Sequence, residues 1–401
     1  MAIRPYNRQE YHLKITAVET RVVRTGGGGP WLFCIVRTDA GITGYSQFGS
    51  GSYPKGQVGL VEDLGKTLIG QDPDPVERHY LDMYRKTAQV SGGATAMAIA
   101  GIELALWDIK GKAAGMPVYR LLGGPFRERQ QVYWSHLASY RAQGRAAEMG
   151  VAPLKTWDDV ADCVREATDA GFSAFKSNII FPGDPPRRMR DVFAGDFDQN
   201  ANPDLIEHAV KQISVMREAA GPKIGIALDI HYEFKTEGAI RLAQALEPYN
   251  LMWLEFDRFE PEPLAQIKSS TRTPITTGEQ LLGVREYKRF FELRAMDTVK
   301  IDVPWQGFSQ AKKVADLAEL YEMNVAPHNY TSHLATFQSL QFTAMIPNVR
   351  IMETDIDSSP WRDELTTTLP ELKDGFMTIP TGPGWGCDLD EVAAKKYAYE
   401  G

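Results

Sequence analysis

In the stretch ALDIHYEF an aspartate and a histidine, Asp229 and His231, stand two positions apart at the end of an apolar run. Side chains alternate along a strand, so the two face the same way wherever the strand persists. A carboxylate and an imidazole on one face suit a metal ligand with a proton donor beside it. The motif has successors: Glu255 ends the run LMWLEF and Glu279 ends PITTGE. Three successive apolar runs thus end in carboxylates at nearly even spacing. With no cysteine or second nitrogen ligand nearby, such a set suits Mg²⁺ rather than Zn²⁺, water and substrate oxygens completing the shell. Taken singly, each carboxylate is as readily a helix N-cap or a solvated loop residue. The run of three is what argues for a common purpose.

The next two runs end in Asp302 (KIDV) and His328 (APHN). An imidazole held by a carboxylate is a base of fixed tautomer and raised basicity. Lys176 and Asn178 end FKSN, and Glu353 lies in VRIMETD. Alone, a strand-end histidine is as often structural, Lys176 equally fits a surface lysine whose stem covers apolar neighbours, and Asn178 a turn residue.

Such residues need a scaffold that carries many strand ends to one face. The runs VYWSHLAS, FSAFKSN, IGIALDI, LMWLEF, PITTGE, TVKIDV, NVAPHN and VRIMETD alternate with helix-like stretches such as DVADCVREATDAG. Alternating strand and helix implies parallel pairing, and eight such units close a (β/α)8 barrel whose site lies at the strand ends. Ahead of it, ITAVETRVVRT and WLFCIVRTDAGITGYSQFG read as strands joined by an Asp-Ala-Gly turn, and Met97, Ile99, Ile102, Leu104, Leu106, Trp107 and Ile109 keep helical spacing. The expected fold is a modified (β/α)7–8 TIM barrel over 126–365, an α+β unit over 1–125, and a turn-rich return to that unit over 366–401.

Two loops bear on specificity. TGGGGPW, Thr25 to Trp31, has four glycines that give mobility without side-chain readout. It is either a flexible hairpin tip or a flap with Trp31 as its apolar wall. The insert FPGDPPRRMRDVFAGDFDQNANPD reads as an irregular lid or specificity loop. Its Arg187, Arg188 and Arg190 face either the second carboxylate of a diacid, or only solvent or an oligomer contact.

A net charge of −8 without a long basic run argues against nucleic acid as partner. Hydrophobic content of 43% and charged content of 24% disfavour disorder, and no apolar stretch reaches membrane-spanning length. Cys34, Cys163 and Cys387 leave one thiol over in any disulfide scheme, which favours a reducing compartment. Together with the lack of an apolar leader in MAIRPYNRQEYHLKI, this gives a cytoplasmic expectation.

The set Asp229, Glu255, Glu279, Asp302, His328 and Glu353 resembles the enolase superfamily, in particular its mandelate racemase-like branch, and the likeness covers essentially the whole chain. The resemblance implies a capping domain over the barrel, Mg²⁺ on Asp229, Glu255 and Glu279, and abstraction of a proton α to a substrate carboxylate to give an enediolate. LDIH, FKSN and the His–Asp pair look like those of acid-sugar dehydratases of the galactonate type. That implies His328 as base oriented by Asp302, His231 as the acid expelling the β-hydroxyl, and a 2-keto-3-deoxy product. Glu353 would then meet the substrate carboxylate as a neutral acid, with Asn178, Trp31 and His333 as further substrate contacts. Racemases of the branch carry KxK where this chain has Asn178, which leaves Lys176 to bind carboxylate, stabilise charge or act as a base. Epimerisation, racemisation or cycloisomerisation of a sugar lactone through the same enediolate is the alternative. The implied partner is a small carboxylate, and the implied assembly a dimer or octamer.

Overall fold

The structure, a computed structural model, describes residues 13–26, 29–192 and 199–400. Strands β1 (Ile15–Val23), β2 (Trp31–Thr38) and β3 (Thr43–Phe48) form an antiparallel meander, with Gly41 at positive φ in the expected β2–β3 turn. Helices α1 (Pro54–Lys66) and α3 (Gly93–Ala113) cover it, and α2 (Val76–Lys86) packs on α3. Close approach explains two glycines: a Cβ on Gly44 would meet the Ala105 carbonyl oxygen of α3 at 2.1 Å, and one on Gly101 would meet the Phe48 ring at 2.6 Å.

Each of the eight runs read as a barrel strand is one. They are β4 (Arg129–Trp134), β5 (Ala174–Ser177), β8 (Gly225–Asp229), β9 (Trp253–Glu255), β10 (Ile275–Thr277), β11 (Thr298–Asp302), β12 (Asn324–His328) and β13 (Met352–Thr354); β6 (Ile180–Phe181) and β7 (Arg187–Arg188) lie outside the ring. Parallel pairing runs β4–β5–β8–β9–β10–β11–β12. The ring closes where β13 pairs β4 and Val325 of β12 bridges Val349. The insert is more ordered than its composition implied. Around its Gly-Asp-Pro-Pro turn, β6 and β7 pair as a hairpin, Ile180 opposite Arg188; positions 193–198 of the insert and Gly27 and Gly28 of the glycine loop lie outside the described residues.

The C-terminal return touches the barrel before the opening unit. In the hairpin of β14 (Leu372–Lys373) and β15 (Phe376–Thr378), β15 pairs with the start of β4. The chain then crosses to the opening unit, where Trp385 Nε1 donates to the Tyr45 carbonyl at 2.8 Å and Ala398 bridges Val23. No helix among the described residues is long and apolar enough to cross a membrane.

The buried Glu103 fastens the capping helix to the barrel. Its carboxylate accepts from the backbone N–H groups of Phe308 and Ser309 at 2.9 Å each, from the Ser309 hydroxyl at 2.6 Å and from Trp107 Nε1 at 2.8 Å. The first two are orphan donors of a helix N-terminus, so Glu103 supplies the cap that Gly307, the N-cap residue of the 308–320 helix, cannot. Glu103→Ala strands these buried donors and is expected to cost about 3 kcal/mol of stability in urea unfolding. Glu103→Gln, which still accepts through one oxygen, costs less.

Candidate active site

The barrel interior explains why chemistry appears at strand ends. Ala174, Ala227, Trp253, Ala326 and Ile351 form an inward apolar layer with Tyr133. Two residues further along each strand, on the same face, come Lys176, Asp229, Glu255, His328 and Glu353. Small or planar side chains fill the core, and the next layer, at the mouth, carries the functional groups.

The mouth is an alternation of charges. Lys176 Nζ lies 3.0 Å from Glu255, 3.2 Å from Glu353 and 3.3 Å from Asp229. A second buried lysine, Lys300 of β11, donates to the Tyr133 hydroxyl at 2.7 Å and pairs with the other oxygen of Glu353. Burial alone would lower Lys176, but Glu255 and Glu353 outweigh it and hold the amine well above its ordinary range. Burial alone would raise Glu353, but Lys176 and Lys300 outweigh it and hold the carboxyl well below its own range. This corrects one expectation: Glu353 is an ionised carboxylate clamped between two ammonium groups and is not the neutral acid inferred for it.

Beside that clamp the carboxylates lack compensation. Burial, then Asp257 and Glu255, push Glu279 well above the usual carboxylate range. Glu255 Oε1, Asp257 Oδ1 and Glu279 Oε2 are buried without a hydrogen-bond partner. Asp257, His231 and Glu279 bring one ligand atom each within 4.8 Å of one another. Asp229 and Glu255 are not in that group, and each has one oxygen on Lys176. The donor chemistry nonetheless fits a hard divalent cation: buried, oxygen-rich, net negative, with orphaned oxygens.

His231 has a left-handed backbone, φ +51°, and its N–H donates to Asp229 Oδ1 at 3.0 Å. Its Nδ1 is 3.4 Å from Asp229 and 3.5 Å from Asp257. Burial opposes protonation, but these two carboxylates prevail and raise the imidazole to about 9. Asn178 is buried behind it, its amide nitrogen 3.2 Å from the Asp229 carbonyl and 3.3 Å from His231 Nε2. Asn178 therefore packs against His231 and does not line the cavity. On the other side, His328 Nδ1 is 2.7 Å from Asp302 Oδ2, and His328 Nε2 is 3.3 Å from Glu279. Asp302 also accepts from the Trp305 N–H at 2.8 Å, and the Trp305 and Tyr330 rings flank the imidazole at 5.3 and 4.9 Å.

Above these groups lies a cavity of about 350 Å³, lined by Trp31, His136, Arg188, Asp229, His231, Glu279, Trp305, His328 and Tyr330 among others. Lys176, Glu255, Asp302 and Glu353 lie beneath this lining. The two capping loops touch backbone to backbone at its rim, where a Cβ on Gly29 would meet Gly51 at 2.5 Å. His333 does not line it; its Nε2 is 2.7 Å from Asp363, and the substrate contact expected of it gives way to that pairing.

Sequence reading missed a third Asp–His pair at this cavity. His136, after β4, has Nδ1 3.1 Å from both oxygens of Asp355, after β13, and stacks on Tyr140 at 4.5 Å. It missed Asp257 and Lys300 as well. Each of these two stands two positions from a residue already singled out, Glu255 and Asp302; strand alternation would have found Lys300, inside β11, whereas Asp257 lies past the end of β9.

A closed parallel barrel, capped by an α+β unit and presenting buried carboxylates and three aspartate-paired histidines to one cavity, is the architecture of an enzyme. Family comparison gives the particular lineage. Residues 15–123 match the mandelate racemase/muconate lactonizing enzyme N-terminal domain, and residues 159–393 match the enolase C-terminal domain-like family. The chain belongs to the mandelate racemase/muconate lactonizing enzyme family of the enolase superfamily. It is 32% identical to D-xylonate dehydratase of Haloferax volcanii, over 97% of this chain and 90% of that one. It is 30% identical to the D-galactonate dehydratase family member ManD of Chromohalobacter salexigens, over 85% and 84%. Among solved structures, a candidate L-alanine-DL-glutamate epimerase from Burkholderia xenovorans strain LB400, bound to magnesium and fumarate, superposes with TM-score 0.90 at 35% identity, covering 96% of each chain.

Proposed function

We propose that the protein is a Mg²⁺-dependent hydro-lyase that dehydrates a sugar acid to a 2-keto-3-deoxy acid. One observation carries the reading: two of the cavity's carboxylate-paired histidines, His328 at the end of β12 and His231 just after β8, face it from above a cluster of buried carboxylates. Asp229, Glu255 and Glu279 would hold the metal, with Asp257 next to them. When bound, Mg²⁺ would supply the positive charge that stabilises the C–H electron pair left to delocalise into the substrate carboxylate as the α-proton departs.

His328 takes that proton at Nε2. Its Nδ1–H is fixed on Asp302 at 2.7 Å, so the free nitrogen is the one presented to the cavity. His231, protonated at neutral pH by virtue of Asp229 and Asp257, donates to the β-hydroxyl as it leaves. A dication on Asp229 would weaken that support and bring the imidazole back toward its ordinary range, where donation is easier. Lys176 serves as a fixed ammonium: with three carboxylates around it, it cannot readily surrender a proton, so it is not the base opposite His328. The dehydratase relatives support this reading of the chemistry, and the magnesium-and-fumarate neighbour supports a metal with a carboxylate ligand.

The test is a panel of mono- and diacid sugars with the Mg²⁺-loaded protein, scored for 2-keto acid by semicarbazide and for α-proton exchange in D₂O by NMR. Keto acid supports the dehydratase; exchange or a new stereoisomer without keto acid moves the protein to the epimerase reading. His231→Asn is expected to lower keto-acid formation about 10²- to 10³-fold while α-proton exchange continues. Equal loss of both would remove His231 from the elimination step.

A further inference from the structure

The cavity is chemically lopsided. Its floor carries Asp229 and Glu279, while Arg188 is the one arginine or lysine among the described residues lining it. Arg188 arrives from the insert after β5. Of the three insert arginines, Arg187 is exposed and absent from the lining, and the side chain of Arg190 lies outside the described residues.

Three features fix Arg188 as part of the wall. It lies on a β-ladder, paired with Ile180, so its backbone is set by hairpin register. That hairpin is anchored to the barrel, since the Ile180 N–H donates to Gln212 Oε1 at 2.9 Å while the same amide donates to the Asn178 carbonyl at 2.8 Å. Its guanidinium is met by Gln143. With that amide turned so that its oxygen faces the arginine, the oxygen accepts from Nε at 2.8 Å and from Nη2 at 2.9 Å. Gln143 and the neighbouring Tyr140 line the same cavity, so the arginine stands in a polar wall formed by the segment after β4.

We propose that Arg188 is a specificity-determining residue and that the substrate is a sugar diacid, its second carboxylate received by Arg188 with Gln143 and Tyr140 beside it. This rests on the dehydratase reading for the fate of the first carboxylate. The physical reason is charge matching. A guanidinium in an enclosed wall gains most from an anion of matching planar geometry, which a carboxylate offers and a terminal hydroxymethyl does not. The carboxylate-rich floor can hold the first carboxylate only through a cation, so the substrate's two ends are recognised by different means. That also sets its orientation, because an uncovered carboxylate over Asp229 and Glu279 is repelled.

The test compares sugar mono- and diacids of matched stereochemistry, gluconate with glucarate and galactonate with galactarate, on the Mg²⁺-loaded full chain. Binding is read by calorimetry, independently of turnover, in wild type, Arg188→Gln and Arg188→Lys. The diacid of at least one pair is expected to bind about 10- to 100-fold tighter than its monoacid, and Arg188→Gln to reduce that ratio about 10-fold or more. Arg188→Lys, retaining charge but not the fork, should fall between. Monoacids binding as tightly as every matched diacid, or a ratio that Arg188→Gln leaves unaltered, overturns the proposal. Turnover of the same compounds is scored separately. Diacid binding that depends on Arg188 without keto acid or α-proton exchange would count against the dehydratase chemistry while leaving the diacid site standing.

Discussion

His328→Asn is expected to remove dehydration and α-proton exchange together, each by about 10³- to 10⁴-fold, at the upper end of what a general base contributes. The substitution is conservative in shape. An asparagine amide can still donate to Asp302, which the imidazole meets at 2.7 Å, so the pocket between Trp305 and Tyr330 should persist. What disappears is a nitrogen able to accept a proton. Because no later step can begin without that transfer, keto-acid formation and exchange must fall in parallel, unlike in His231→Asn. Substrate affinity should change little, since the carboxylate-binding groups stay in place, so the loss belongs in kcat. Exchange that survives at a tenth or more of the wild-type rate would transfer the base role elsewhere. The first place to look would then be His136, the third carboxylate-paired histidine of the cavity.

The barrel was legible in the sequence because each of its strands is a short apolar run closed by a polar residue, and the same runs carry the site. Asp229, Glu255 and His328 sit where inward alternation puts them, two positions beyond Ala227, Trp253 and Ala326. What escaped was of two kinds. Lys300 lies inside the run TVKIDV, where a lysine looks like an outward residue until alternation with Asp302 is applied; the Cα register Asp302 to His328 shows which way that strand faces. His136 has φ +51°, so alternation cannot predict its direction, and its partner Asp355 is 219 residues away. The two are neighbours only because the first and last strands pair on closure of the ring. The charge state of Glu353 escaped for a related reason: it depends on two lysines from β5 and β11 that converge only in three dimensions.

The second large effect concerns the carboxylate cluster and is expected in Glu279→Gln. Turnover should drop below detection at millimolar Mg²⁺, because one of three proposed ligand carboxylates is replaced by a neutral amide that binds hard cations weakly. Stability offers an independent readout. In chelated wild-type protein Glu279 is buried beside Asp257 and Glu255, and its Oε2, 3.3 Å from His328 Nε2, makes no hydrogen bond. Removing that charge should stabilise the chelated variant by about 2 kcal/mol relative to chelated wild type. The pH dependence has a definite sign. The folded carboxyl lies above its unfolded value, so the folded state holds more protons, and this group's contribution falls as pH rises above the ordinary carboxylate range. The advantage of Glu279→Gln should therefore grow from acid to neutral pH. Adding Mg²⁺ should reverse the ranking: a ligand at 100 times its Kd adds about 2.7 kcal/mol to a protein that binds it only when folded. Wild type then gains while the variant does not. Thermal unfolding of both proteins, with EDTA and with Mg²⁺, checks the crossing. Equal stabilisation of both by Mg²⁺ would exclude Glu279 as a ligand and leave Asp229, Glu255 and Asp257 as the oxygen set.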